Sequence, residues 1–155
     1  MKKIEPPIIV TQSFSVSKEA LWLAITERDQ MVQWFFENIP AFEPIVGFKT
    51  QFVVENEGRI FPHQWKIMEV HAHCRIAYNW KYEGYEGDSI VTFELAPIPA
   101  GTQLALTHKV LDSFSADVPE FSRASCEGGW NYFIKERLHA FIKAKASDDS
   151  SQEYL

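Results

Sequence analysis

Cysteine is scarce in this sequence. Cys74 and Cys126 are the only two, too few for a disulfide framework, so the expected compartment is a reducing cytoplasm. Long apolar runs are missing too. None approaches the ~20 residues that span a bilayer, and the opening MKKIEPPIIV lacks the apolar stretch and small-residue cleavage site of a secretory signal. Membrane insertion is not expected. Basic runs are absent from a chain with 15 Lys+Arg, 21 Asp+Glu and a net charge of −6, which argues against a nucleic-acid partner. No phosphate-cradling Gly-rich loop occurs, and no G-x-S-x-G phrase announces a nucleophile. No motif implies a cofactor.

Aromatic residues are abundant. Twelve Phe, five Trp and five Tyr supply 14% of 155 residues. A chain of that length suits one domain, expected over residues 1–146, and buries about 68–70% of the surface that its unfolded form exposes. The aromatic load then serves either a packed core or an aromatic-lined cavity. Residues 147–155, SDDSSQEYL, have little to bury and are expected to form a disordered acidic tail.

Periodicity orders the rest. IIVTQSFSV, residues 8–16, is rich in β-branched and aromatic side chains and reads as a strand. Ser17 is placed to cap a helix carrying Ala20, Leu21, Ala24 and Ile25 at helical spacing. Asp29 is placed to cap a second short helix, DQMVQWFF. Pro40 and Pro44 then impose an irregular stretch. Five strands follow, at 48–55, 60–70, 75–82, 89–95 and 103–111, separated by short turn-rich pieces. A final helix is expected over about 118–144, with Asp117 and Glu120 at capping-box spacing. The order gives an α+β fold: a curved six-stranded antiparallel sheet, β1 joining one edge, wrapped around a long C-terminal helix, with two short helices between strands 1 and 2.

Four phrases of the sequence resemble one known family. They are SVSKEALWLAITERDQMVQWF, KIMEVHAHCRIAYNW, SIVTFELAPIPAGTQLALTHKV and GGWNYFIKERLHAFI, which occur in that family's order across residues 8–143. The family is named for the activator of heat shock protein 90 ATPase homologue, within the START-like, birch-pollen-allergen-like superfamily. The resemblance implies a helix-grip fold enclosing a cavity, in a superfamily that includes lipid carriers, hormone receptors and polyketide cyclases. Fold alone does not choose among these. The eukaryotic co-chaperones of the family carry an extra chaperone-binding domain, which is not expected within a chain of this length.

Metal chemistry has one candidate constellation, His63, His71, His73 and Cys74. The spacing of a closed site is missing, and His-Ala-His between two strands reads more simply as a turn. Glu55 with Glu57 and Glu83 with Glu86 fall at strand ends, where solvated charge is expected. Cys126 on the last helix reads as a small buried hydrophobe. His108 alternates in phase with Leu104, Leu106 and Val110, so it faces the apolar side of its strand. There it is either a satisfied core histidine or a polar contact in the cavity, able to act as acid or base. Trp80 shares a face with Ile76, Tyr78 and Tyr82.

On the last helix Trp130, Phe133, Ile134, Leu138 and Phe141 form one stripe. Arg123, Cys126 and Arg137 lie on it, and Phe121 lies nearly opposite. Gly128 and Gly129 separate the two phases, where a bend is most easily absorbed. They are expected inside the helix, as a notch for tight packing or as part of a pocket wall.

The expected ligand-cavity residues are Trp34, Trp65, Tyr78, Trp80, His108, Arg123, Gly129, Trp130, Phe133 and Arg137. The expected function is binding of a small apolar or amphipathic molecule by a monomer or homodimer. The arginines are placed to hold an anionic head group or to lay their stems on the core. The alternatives are a cyclase- or hydrolase-like enzyme using the same cavity, and a co-chaperone-like partner of an ATPase.

Overall fold

The structure is a computed structural model that describes the backbone of residues 1–153 and the side chains of residues 1–146. Strand β1 (Ile8–Phe14) leads into α1 (Lys18–Thr26) and α2 (Arg28–Trp34). The meander follows as β2 (Lys49–Asn56), β3 (Arg59–His71), β4 (Arg75–Tyr82), β5 (Asp88–Ile98) and β6 (Gly101–Asp112). A 3-10 turn (Pro119–Phe121) precedes a long helical segment built of α3 (Arg123–Asn131), a π-helical stretch (Tyr132–Leu138) and α4 (His139–Glu153). The side chains of 147–155, the expected tail, lie outside the described residues. No helix among the described residues is long and apolar enough to cross a membrane.

The sheet is antiparallel throughout, in the order β1-β6-β5-β4-β3-β2. Glu57 and Gly58, both at positive φ, join β2 to β3. That conformation makes a two-residue hairpin loop whose twist matches the strands it connects. Gly101 opens β6 at φ 153°, and a Cβ there would collide with the Phe14 carbonyl of β1. Its missing side chain is what lets β1 close against β6. Between Ile67 and Glu69 the β3–β4 register shifts, a bulge at Met68 that bends the sheet. The bend turns one apolar face inward around the helices, and this is the expected helix-grip architecture.

Ser17 caps α1 as expected, its hydroxyl accepting the Ala20 N–H at 3.1 Å. Asp29 does not cap α2. That helix starts two residues earlier, after Glu27, with no side-chain cap. The last helix also begins later than expected. Ser122, not Asp117, accepts the first free amide, from Ser125 at 3.1 Å, while Phe121 sits in the preceding 3-10 turn and is buried there. Phe121 therefore reaches the core without any bend in the helix.

Gly128 and Gly129 lie inside α3, as expected, but the irregularity is displaced to the π-helical stretch that follows. The buried positions are Trp130, Ile134, Leu138 and Ile142, with Phe133 and Phe141 half-buried. A four-residue spacing drifts by about 40° per step on a 3.6-residue helix. The wider π turns cancel that drift and keep the stripe on the sheet.

Candidate functional site

Where β3 and β4 meet α3, the inward side chains alternate along both strands. His63 faces Tyr82 across the ladder, and Trp65 faces Trp80. Phe36, just beyond α2, and Phe133, from the π stretch, approach from above, their rings 5.1 Å apart. Phe36, His63, Trp80, Tyr82 and Phe133, with His108 of β6 and Cys126, Gly129 and Trp130 of α3, line a pocket of about 120 Å³ between sheet and helix. Larger hollows lie elsewhere, such as one of about 470 Å³ over Lys49, Gln51, Lys66 and Lys81 on the solvent-facing side of the sheet.

Five of the ten expected residues meet at the pocket: Trp80, His108, Gly129, Trp130 and Phe133. The other five do not. Trp34 is buried under α1, donating its indole N–H to the Ala24 carbonyl at 2.7 Å and stacking on Phe35 at 4.7 Å. Trp65 and Tyr78 lie further along the strands, where Phe35 and Phe42 pack on Trp65 and Phe42 packs on Tyr78. Arg123 is held outside by Glu127 at 2.8 Å and by the Pro6 carbonyl. Arg137 donates to the Gln33 carbonyl at 2.9 Å. Neither guanidinium lines the pocket, so the anionic head group envisaged for them has no cation there.

The indole N–H of Trp65 and the hydroxyl of Tyr78 are buried without a hydrogen-bond partner among the described residues. An unmet buried donor costs about 1–3 kcal/mol. Tyr78→Phe removes one such donor and keeps the ring, so it is expected to hold or raise stability, by up to about 1 kcal/mol. A clear drop in urea midpoint would show that the hydroxyl has a partner.

His108 resolves in favour of a satisfied histidine. The Trp130 indole N–H, which can only donate, points at His108 Nδ1 at 3.0 Å. Nδ1 is therefore the accepting nitrogen, and the proton sits on Nε2. Nε2–H donates to Ser89 Oγ at 2.9 Å, and the Ser89 hydroxyl donates to the Trp80 carbonyl at 2.7 Å. Every polar atom of this relay is paired, which leaves His108 no lone pair for a substrate. Burial, with the amino-terminal ammonium second, pulls its pKa down to about 4, so the ring is neutral at pH 7.

His63 differs. Its Nδ1–H donates to the Phe61 carbonyl at 2.9 Å, so Nε2 carries a bare lone pair with no partner among the described residues. The ring stacks on Phe52 at 4.9 Å and meets Tyr82 edge-on at 4.7 Å. Burial, partly offset by the Phe61 bond, lowers its pKa to about 4. The Tyr82 hydroxyl accepts the Trp80 indole N–H at 2.9 Å, and burial raises its pKa. Burial likewise pushes the Cys126 thiol up to about 11. All lining groups are uncharged at neutral pH.

Sequence reasoning missed Phe36, His63, Tyr82 and Cys126 as pocket residues. In the sequence His63 groups with His71, His73 and Cys74 as a metal candidate. Those three sit at the β3–β4 turn, far along the strand from His63, and no group of three or more His, Cys, Asp or Glu is placed to hold a metal ion among the described residues. The alternation Phe61, His63, Trp65, Ile67 is the signal that would have placed His63 on the inner face.

The glycine question is answered by the same geometry. A Cβ on Gly128 or Gly129 would meet nothing within 4 Å, so the pair is not a notch for tight packing. Gly129 lines the pocket, and its missing side chain leaves part of that space open.

A family model described as Activator of Hsp90 ATPase homolog 1-like protein matches residues 15–143. No curated protein matches the chain. Among solved structures, CV1439 from Chromobacterium violaceum superposes with a TM-score of 0.72 at 21% identity, over 88% of this chain and 96% of that one. MLL2253 from Mesorhizobium loti gives 0.70 at 25% identity, over 90% and 98%. DynU16, from the dynemicin biosynthetic locus, gives 0.71 at 20% identity, over 90% of this chain and 48% of its own.

Proposed function

Since the chain belongs to the Activator of Hsp90 ATPase homolog 1-like family, whose fold grips a helix within a curved sheet, we propose that it binds a small neutral molecule between the two. One observation carries this reading. A space lined jointly by sheet and α3 is walled by aromatic rings and uncharged polar groups, with a glycine on the helix side.

The size limits the guest. Ligand pockets for drug-sized molecules run to about 300–1,000 Å³, whereas this one measures about 120 Å³. A cavity of about 150 Å³ in another protein takes up benzene. The guest here is of single-ring size, and a long-chain lipid or a polycyclic substrate does not fit. Catalysis is less well supported than binding. Both nitrogens of His108 are engaged, and a conjugate-acid pKa of about 4 makes His63 a weak base at neutral pH. No charged group stands by to complete an acid–base pair.

Gly129→Leu tests the reading. Leucine favours helix by about 1 kcal/mol over glycine, and nothing within 4 Å obstructs its Cβ. The variant is expected to be folded and at least as stable as the parent, yet to lose binding of toluene followed by ligand-observed NMR. Gly128→Leu, off the pocket, is expected to keep it. Undiminished toluene binding by Gly129→Leu would sink the proposal. A ring-sized compound copurifying from cell extract, detected by native mass spectrometry, would support it directly.

A further inference from the structure

The pocket carries two polar atoms with unused hydrogen-bonding capacity. One is His63 Nε2, an acceptor fixed in that role because Nδ1–H is spent on the Phe61 carbonyl. The other is the Tyr82 hydroxyl, whose oxygen already accepts from Trp80 and whose proton has no acceptor among the described residues. The two residues are cross-strand partners with rings 4.7 Å apart. Both line the pocket, so they bring one acceptor and one donor to a largely aromatic wall.

From this pairing we infer that the guest is a small aromatic alcohol, a phenol-like molecule whose hydroxyl donates to His63 Nε2 and accepts from Tyr82. The inference rests on the pocket being a binding site and adds the identity of its polar contact. A hydroxyl fills both roles at a single atom, and does so more strongly than a thiol. A carbonyl answers Tyr82 and leaves His63 unpaired. A hydrocarbon leaves both unpaired. A carboxylate brings a charge into a pocket with no cation, since Arg123 and Arg137 are engaged elsewhere, and burying an unpaired charge is costly. The rest of the guest meets Phe36, Trp80, Trp130 and Phe133, whose ring faces and edges suit a flat aromatic body. The Trp80 indole N–H on the Tyr82 oxygen strengthens Tyr82 as a donor, because successive hydrogen bonds polarise one another.

Phenol, toluene and benzoate, three single-ring probes, separate the possibilities. Binding is followed by ligand-observed NMR and by the fluorescence of the protein's tryptophans. Phenol is expected to bind about tenfold or more tightly than toluene, the worth of two net hydrogen bonds, and benzoate is expected not to compete. In His63→Phe and Tyr82→Phe the preference for phenol should shrink, while toluene binding persists and reports that each variant is folded. Equal affinity of the parent protein for phenol and toluene would overturn the aromatic-alcohol assignment and leave the pocket as an apolar site. Benzoate binding as well as phenol would overturn it too, by revealing a cationic partner. Failure of both phenol and toluene to bind would overturn the assignment together with the pocket reading beneath it.

Discussion

Lowering the pH from 6.5 to 4 is expected to cost the fold on the order of 3 kcal/mol for each of two histidines, His63 and His108. Both rings are buried, and in the folded chain both pKa values fall from the ordinary 6.5 to about 4. Across that interval the unfolded chain takes up protons that the folded chain refuses. Stability is therefore complete above pH 6.5, declines as pH falls through the window, and levels off below about 4. Around the two rings, the Tyr82 hydroxyl and the Cys126 thiol keep their protons throughout, since burial moves both upward, and the amino-terminal ammonium adds positive charge that opposes protonation of His108. Glu120 acts mostly lower. The Arg59 guanidinium holds its carboxyl at about 2 against an ordinary 4.5, so its contribution fades as pH falls from 4.5 toward 2. Urea denaturation at half-unit pH steps measures the slope, and His63→Phe is expected to remove about half of it. A flat profile between pH 6.5 and 4.5 would contradict the burial of both rings. Binding of a hydroxyl guest should hold down to about pH 4 and weaken below it, where His63 of the folded chain itself takes up a proton and loses its acceptor.

Trp130→Ala should destabilise the protein by about 3–5 kcal/mol, the cost of emptying a large aromatic site in a core. The ring packs on Trp80 at 5.4 Å, on Phe35 at 5.8 Å and on Phe93 at 6.1 Å. Its N–H also sets the tautomer of His108. Trp130→Phe separates these roles, since it keeps most of the packing and deletes the donor. It leaves His108 Nδ1 buried without a partner, for about 1–3 kcal/mol. Guanidinium denaturation of both variants, with His108→Leu and the His108→Leu/Trp130→Phe pair, closes a double-mutant cycle. A coupling near zero would mean that the relay from Trp130 through His108 and Ser89 to Trp80 contributes nothing as a unit.

The fold was legible because each element announces itself by a different period. Strands β5 and β6 carry their large apolar residues in alternation, Val91, Phe93 and Leu95 turning inward on one strand and Leu104, Leu106 and His108 on the next. Ser17 marks a helix start by a mechanism local to the residue. Caps settled by tertiary contact were less readable. Glu120, taken for half of a capping box, is drawn away to Arg59 and Asn56 across the molecule, and Ser122 caps in place of Asp117.

The candidate site was half legible for a related reason. Phase along a strand tells which face a residue takes, but not how far along the strand the helix covers it. Trp65, Tyr78, Trp80 and Tyr82 all face inward. Only register against α3 decides that the last two border open space while the first two are packed solid. The arginines failed through chain geometry. Long side chains on a helix reach carbonyls of neighbouring segments, at Pro6 and Gln33, which no helical wheel contains. The π-helical stretch was hidden as well, because a one-residue excess leaves no local mark in composition.

Strand β1 pairs with β6, Ile8 opposite His108 and Phe14 opposite Thr102. The strand synthesised first thus finds its partner only when nearly the whole domain has been made. Strands β2 to β6 can assemble through short turns as they emerge, whereas β1 must close the longest loop in the sheet, the slowest kind of contact to form. Until it does, β6 is an unpaired edge, and the β1 of a neighbouring chain matches it as well as the chain's own. Crowded refolding therefore favours exchange of β1 between molecules, and dilution favours pairing of β1 with β6 of its own chain.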